Sequence, residues 1–432
     1  MTVTVIDLGE LTELTDPPAR QRRSRPGGRR MAAVVVALIT LIAVAGAAPS
    51  GRIHAIVPVG LGSDLFIVGD QILTLSPRPG FTDGSQDLLA YPRPVRATAV
   101  PQRLTPLWRM PIPPQHRVYW ADAVPGDGIV IAMAQQESRV SATLRLDART
   151  GQERWRVPGM AMLDLTDRAL LRTFSDSTPN VLRMIDLDTA RELWSMPLSA
   201  ASVDYRQRDD GGLDVIVVAT IDGEVQVIDP DTGAVRHRLP APDDQRSGYQ
   251  QAWLSGDLVT LVRNSRTLVA LTVDGLVERW RATVPTAAYV TGCGPMLCAG
   301  LAGGGLQVVD PATGAMRWRN EELLDLVLVD DRNALAMFRD TNEMATVTLS
   351  SGAVLIRHGP WRMVARYEYA PDVLAVRTVP EVGAVLAQID PTGAPARRID
   401  VLPGASGDCQ SRSGLVACRL FDGNFGIWRL PH

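Results

Sequence analysis

Beyond about residue 110 the chain alternates between two textures. Near-continuous apolar runs such as Leu213-Asp-Val-Ile-Val-Val-Ala-Thr220 are followed, after a short polar break, by segments that alternate apolar and polar, such as Glu224–Ile228. Period-two alternation and short β-branched runs predict strands, whereas helices need apolar residues three and four apart. Across 213–239 the pattern predicts a strand, a turn at Ile221-Asp222-Gly223, a second strand, a turn over Asp229–Gly233 and a third strand over Ala234–Leu239. A strand around Ser202–Arg206 precedes them and makes four.

The turn after the alternating strand recurs along the chain. It reads Asp147-Ala-Arg-Thr-Gly151 followed by Trp155, then Asp186-Leu-Asp-Thr-Ala190 with Trp194, then Asp229-Pro-Asp-Thr-Gly233 with His237. Further copies are Asp274-Gly275 with Trp280, Asp310-Pro-Ala-Thr-Gly314 with Trp318, Ser351-Gly352 with Ile356, and Asp390-Pro-Thr-Gly393. The glycine positions (alanine at 190) are spaced 39, 43, 42, 39, 38 and 41 residues apart. In such a turn Asp caps backbone N–H groups and Gly supplies a positive φ, while the tryptophan packs between neighbouring sheets. Four strands per repeat of about 40 residues predict an all-β fold, a β-propeller. Counting outer strands near Trp108, Trp155, Trp194, His237, Trp280, Trp318, Ile356 and Arg397 predicts about eight four-stranded blades, with seven or an irregular ring as the alternative. The tail 404–432 is expected to close the ring on N-terminal strands from about 52–75, and the proline-rich stretch 59–113 fits the repeat badly, with a long loop near Arg78–Gln86.

Asp-x-x-Thr-Gly-x-x-x-Trp units at this period resemble the repeats of pyrroloquinoline-quinone (PQQ) propellers, over 110–400 most clearly. The same repeats occur in non-enzymatic relatives such as the outer-membrane assembly lipoprotein propeller. The resemblance implies the fold and leaves the activity open. Quinone dehydrogenases of this type use adjacent, disulfide-bonded cysteines, a Glu/Asn/Asp calcium set and an acidic base; no adjacent cysteines are present here, and the calcium set does not map onto this chain. These departures give the expectation of no cofactor, neither PQQ nor calcium, and of a binding or scaffold module rather than an enzyme, with a quinoprotein dehydrogenase or sugar-active propeller as the alternative. An alanine-rich composition whose cations are all arginine, behind a Val-Ile-Asp-Leu-Gly-Glu start, is also similar to membrane-anchored propellers of high-GC Gram-positive bacteria (actinobacteria).

The first fifty residues have a different character. Residues 1–30 form a polar arm ending in Arg20, Arg22, Arg23, Arg25, Arg29 and Arg30; residues 31–48 carry no charge. Eighteen apolar residues at about 1.5 Å each reach across a hydrocarbon core, and the flanking arginines place that end in the cytoplasm. The expected arrangement is a cytoplasmic arm (1–30), a transmembrane anchor (31–48) and an extracytoplasmic PQQ-like propeller (49–432) at the cell membrane. Cleavage after Ala47, at the small-residue stretch Ala45-Gly46-Ala47, is the alternative.

Composition removes several chemistries. The 44 cations are all arginine, so lysine-dependent catalysis and a lysine phosphate loop are excluded. A formal charge of −3 offers no field for nucleic acid, which leaves a protein or cell-wall partner. His54, His116, His237, His358 and His432 lack metal-ligand spacing, and Gly303-Gly304-Gly305 reads as a hairpin turn. Arg154, Arg279, Arg317 and Arg319 flank repeat tryptophans and are expected to stack or pair on outer strands. The cysteines form two short-range pairs, Cys293 with Cys298 and Cys409 with Cys418. Each lies where one strand turns into the next, so two local disulfides are expected in an oxidising compartment. No catalytic, cofactor-binding or metal residue is expected. The repeat positions Asp147, Gly151, Trp155, Trp194, Asp229, Gly233, Trp280, Asp310, Gly314, Trp318, Asp390 and Gly393 are expected to be structural.

Overall fold

The computed structural model describes residues 54–95, 100–135, 141–162, 167–173, 180–208, 211–241, 250–328, 330–366, 373–390 and 392–430. The expected arm and anchor, 1–30 and 31–48, lie outside these residues. Among the described residues there is no helix, and so none long and apolar enough to cross a membrane. The contact pattern separates residues 1–51 from a compact unit, 52–432.

Among the described residues that unit is a ring of nine sheets, each built on a four-stranded antiparallel blade. Blade 1 spans residues 64–112, blade 2 116–158, blade 3 160–197, blade 4 200–239, blade 5 250–283, blade 6 287–320, blade 7 323–359 and blade 8 362–403. Blade 9 takes its three inner strands from Ala405–Arg412, Leu415–Leu420 and Phe425–Arg429, and its outer strand from His54–Val57. The expectation of about eight blades is corrected to nine. The eight outer strands counted in the sequence each finish a complete blade, so the closing sheet is an additional one. Among the described residues four N-terminal ones, His54–Val57, close it, whereas Asp64–Val68 and Gln71–Pro77 already belong to blade 1. The stretch 59–113 that breaks the sequence pattern is a regular four-stranded blade whose third and fourth strands are joined by a long connection.

Each blade interface has its own apolar core, and nine such cores run round the ring. Second strands such as Leu213–Thr220 are buried on both faces, which explains their unbroken apolar runs. Outer strands such as Glu153–Pro158 and Val235–Leu239 stay largely exposed. They carry arginines on their free edges, a device that discourages edge-to-edge pairing between chains.

The repeat residues act between blades. Trp108 Nε1 donates to Ala148 O at 2.8 Å, Trp194 to Pro230 O at 2.8 Å, Trp280 to Pro311 O at 2.7 Å and Trp318 to Leu349 O at 2.6 Å. Each acceptor lies in the turn of the following blade. The indole faces that turn's glycine so closely that a Cβ at Gly151 would lie 2.4 Å from Trp108, with like crowding at Gly233, Gly314 and Gly352. Each of these glycines also has positive φ. Two independent demands, backbone hand and ring clearance, therefore select glycine there.

The disulfides Cys293–Cys298 and Cys409–Cys418 span inner hairpins, with Cα separations of 5.8 and 4.1 Å, and all four sulfur-bearing residues are buried at blade interfaces.

Candidate functional site

Antiparallel strands place successive turns at alternate ends of the ring. The Asp-x-x-Thr-Gly turns share one end with the turns between first and second strands. The links between blades share the opposite end with the turns between second and third strands.

At the repeat-turn end the expected aspartates are engaged. Asp147 Oδ1 accepts from the N–H groups of Arg149 and Thr150, and its Oδ2 accepts from Arg154 at 2.7 Å. Asp229 repeats this with Asp231, Thr232 and Arg236, and Asp310 with Ala312, Thr313 and Arg317. The guanidinium of Arg154 leads in holding the Asp147 carboxyl down at about 2, and that of Arg236 does the same for Asp229. Asp390 is lowered chiefly by Thr392, across a turn whose Gly393 is uncrowded. Arg154 and Arg317 pair as the sequence suggests, and Arg319 lies 2.9 Å from Glu321. Committed to turns in this way, the aspartates do not converge; among the described residues no group of three His, Cys, Asp or Glu side chains does so.

The opposite end is different at blades 9, 1 and 2. The inner strands Asp64–Val68 and His116–Val124, together with Ala405–Arg412, line a cavity of about 510 Å³. A second cavity of about 460 Å³ shares Asp64, Arg117 and Arg419 and opens beside Ser63 and His116. Arg419 is nearly enclosed. It donates to Gly423 O at 3.2 Å and to Ser63 O, lies 3.6 Å from Asp408 and stacks 4.3 Å above the Phe425 ring. Arg117 meets Asp64 at 3.4 Å, both half-exposed.

Asp408 owes its position to a bulge. The ladder between the first two strands of blade 9 slips between Gly407 and Gln410, and Asp408 takes a left-handed φ of 46°. Bulges re-aim side chains in this way, and Asp tolerates the left-handed region better than most residues. The neighbouring Cys409–Cys418 disulfide ties the bulge to the second strand. Gln410 Nε2 then bridges to Leu65 O at 2.6 Å, and the Oε1 of this nine-tenths-buried amide has no partner among the described residues. At the far end of the same inner strands Arg412 grips Asp122 at 2.6 Å and Ile67 O, joining blade 9 to blades 1 and 2.

Of these cavity residues the sequence drew attention only to His116, and there as a histidine without metal-ligand spacing. A signal was present: Gly407-Asp408 inside a strand pattern marks a bulge. Asp64 and Arg117, which line the same cavity, lie about 290 to 345 residues earlier along the chain and carry no motif. On turns at the same end of the ring Leu61, Phe81, Phe421 and Val382 are all more than half exposed. Leu61 lies against the turn that carries Phe421, since a Cβ at Gly423 would come within 3.2 Å of it.

Among solved structures, BamB from Moraxella catarrhalis is 13% identical, with 87% of this chain and 98% of that one covered and a TM-score of 0.46. The computationally designed Ika8 protein is 14% identical over 73% and 97% of the two chains, with a TM-score of 0.48. Sqt1 from Saccharomyces cerevisiae is 11% identical over 81% and 96%, also at 0.48. No curated protein sequence matches. Residues 98–283 and 144–368, which together make up more than half of the chain, match the family described as "Outer membrane protein assembly factor BamB". With the repeat turn and its tryptophan lock running through that span, the chain belongs to the BamB family of propellers.

Proposed function

We propose that the protein is a non-enzymatic extracytoplasmic binding module, tethered to the cell membrane through residues 31–48, that docks a protein partner on the end of the ring bearing the cavity. The observation that carries the reading is the set of exposed apolar residues Leu61, Phe81, Phe421 and Val382 on turns at the end of the ring that bears the polar recess. Apolar anchors beside a polar centre are how protein interfaces are built, and a ring closed by nine interlocked cores holds them without an ordering cost on binding. Family membership supports the same reading, because the family is named for an assembly factor.

The chain has no lysine, so partner capture calls for a photo-reactive residue. One placed at Phe81 should crosslink a defined protein in native membranes, and the purified protein should bind the ring in vitro. Leu61→Arg with Phe421→Glu should abolish both; binding that survives those substitutions would overturn the docking face. For the tether, externally added protease should reach the ring in wall-stripped cells. Recovery of the intact ring in the cytosolic fraction would overturn that part.

A further inference from the structure

We propose that the recess between blades 9, 1 and 2 is a second, separate binding site, and that it takes a neutral, hydroxyl-rich ligand of the size of a short oligosaccharide. The proposal goes beyond the protein-docking reading and rests on different residues.

Charge comes first. The recess holds Asp64 and Asp408 against Arg117 and Arg419, so its formal charges cancel. An ion entering a partly buried, balanced site would leave one charge unmatched, whereas a hydroxyl both donates and accepts and can sit between carboxylate and guanidinium. The groups differ in availability. Arg419 is held on all sides, with 17% of its side chain exposed, and forms a wall. The Asp408 side chain is 69% exposed, and the Arg117–Asp64 pair is long and open. Gln410, which lines the recess, adds a buried carbonyl oxygen without a donor among the described residues, an acceptor that a hydroxyl would satisfy.

Shape is consistent with charge. About 510 Å³ lies within the usual range for small-molecule sites of about 300–1,000 Å³. Tyr119, half exposed on the rim of the same cavity, offers an apolar ring face beside a polar hydroxyl, as the two-faced surface of a pyranose requires. The site is preorganised, because the Cys409–Cys418 disulfide anchors the bulge that sets Asp408 and Gln410 on either side of Cys409.

The test is calorimetry and saturation-transfer NMR on the full-length protein with chitotriose, cellotriose and maltotriose. Tri-arginine and inorganic phosphate serve as charged probes. At least one trisaccharide should bind saturably, and Asp408→Asn, Arg117→Gln and Tyr119→Ala should each weaken it by about tenfold or more. Asn keeps the left-handed backbone that position 408 needs, so Asp408→Asn reads the carboxylate and not the fold. The docking-face variant Phe421→Glu, outside the lining of the recess, should leave trisaccharide binding unchanged, which separates this site from the docking face. The proposal is overturned if no trisaccharide saturates the folded protein, if the three recess variants bind as the parent does, or if a charged probe occupies the recess more tightly than every sugar.

Discussion

At position 190 an alanine stands where the other tryptophan-facing turns have glycine, and the structure registers the difference. Ala190 keeps the left-handed φ of the turn, at 59°, and the facing Trp155 is only partly buried, whereas Trp108, Trp194, Trp280 and Trp318 are buried. Its indole bond, to Leu187 O, is correspondingly longer at 3.1 Å. Ala190→Gly should therefore stabilise the ring by about 1 kcal/mol, because the left-handed region costs an L-residue about that much and the added Cβ is removed. Gly151→Ala and Gly314→Ala should each cost about 1–3 kcal/mol, through backbone strain and overpacking against the indole. Urea denaturation of the three variants checks the signs. His358 gives a second residue-scale test. Burial holds its imidazole below the usual 6.5, against a weaker opposing pull from Asp390, while Nε2 meets Thr346 Oγ1 at 2.8 Å. A folded-state pKa below the unfolded one contributes stability that is present above about pH 6.5 and lost as pH falls through the lowered value. Melting temperature should fall between pH 7.5 and 5.5, and His358→Gln should flatten that slope; an unchanged slope would remove His358 from the account.

At the scale of the element, the strand His54–Val57 is held on both sides. It pairs antiparallel with Phe425–Arg429 and parallel with Gln102–Arg103, which belongs to the long connection inside blade 1. Leu104 N donates to Ile56 O at 2.8 Å, and its side chain is buried in the core between blades 9 and 1. Leu104→Ala should cost about 2–4 kcal/mol and should speed amide exchange first in residues 54–57. Exchange that rises uniformly round the ring would show that the clamp does not act locally. A comparable device joins blades 8 and 9: the inner strand of blade 8 divides at Val364, and Ala365–Arg366 crosses to pair in parallel with Gln410–Ser411. Neither crossing strand was readable in the sequence. Two-residue pairings have no periodicity, and their partners lie about 45 residues away in both cases.

For the whole molecule, closure decides stability, because an open ring would expose the edge of Phe425–Arg429 and part of the core that Ala55 and Val57 complete. A chain beginning at residue 58 should self-associate and melt well below one beginning at residue 52, as light scattering and calorimetry can determine. Equal melting and a monomeric state for both would show that the ring tolerates the gap. The blade number belongs to this scale too. The spacing of turns predicted the repeat length and the strand order within each blade, and both stand. The count fell one short because the closing blade is assembled from the two ends of the ring and has no repeat turn of its own.

The sequence by itself determined the all-β class, the four-stranded unit, the roles of Asp147, Gly151 and Trp280 and their equivalents, and both disulfide pairings. These rest on interactions within one repeat or between consecutive repeats, and such local rules leave a periodic mark. Only the tertiary structure decided the ninth blade, the buried grip of Arg412 on Asp122, and the recess that joins Asp64 and Arg117 to Asp408 and Arg419. The physical reason is closure. Bending the repeats into a ring brings the last blade against the first two, and the residues that meet there are separated by about 290 to 350 positions and follow no local pattern.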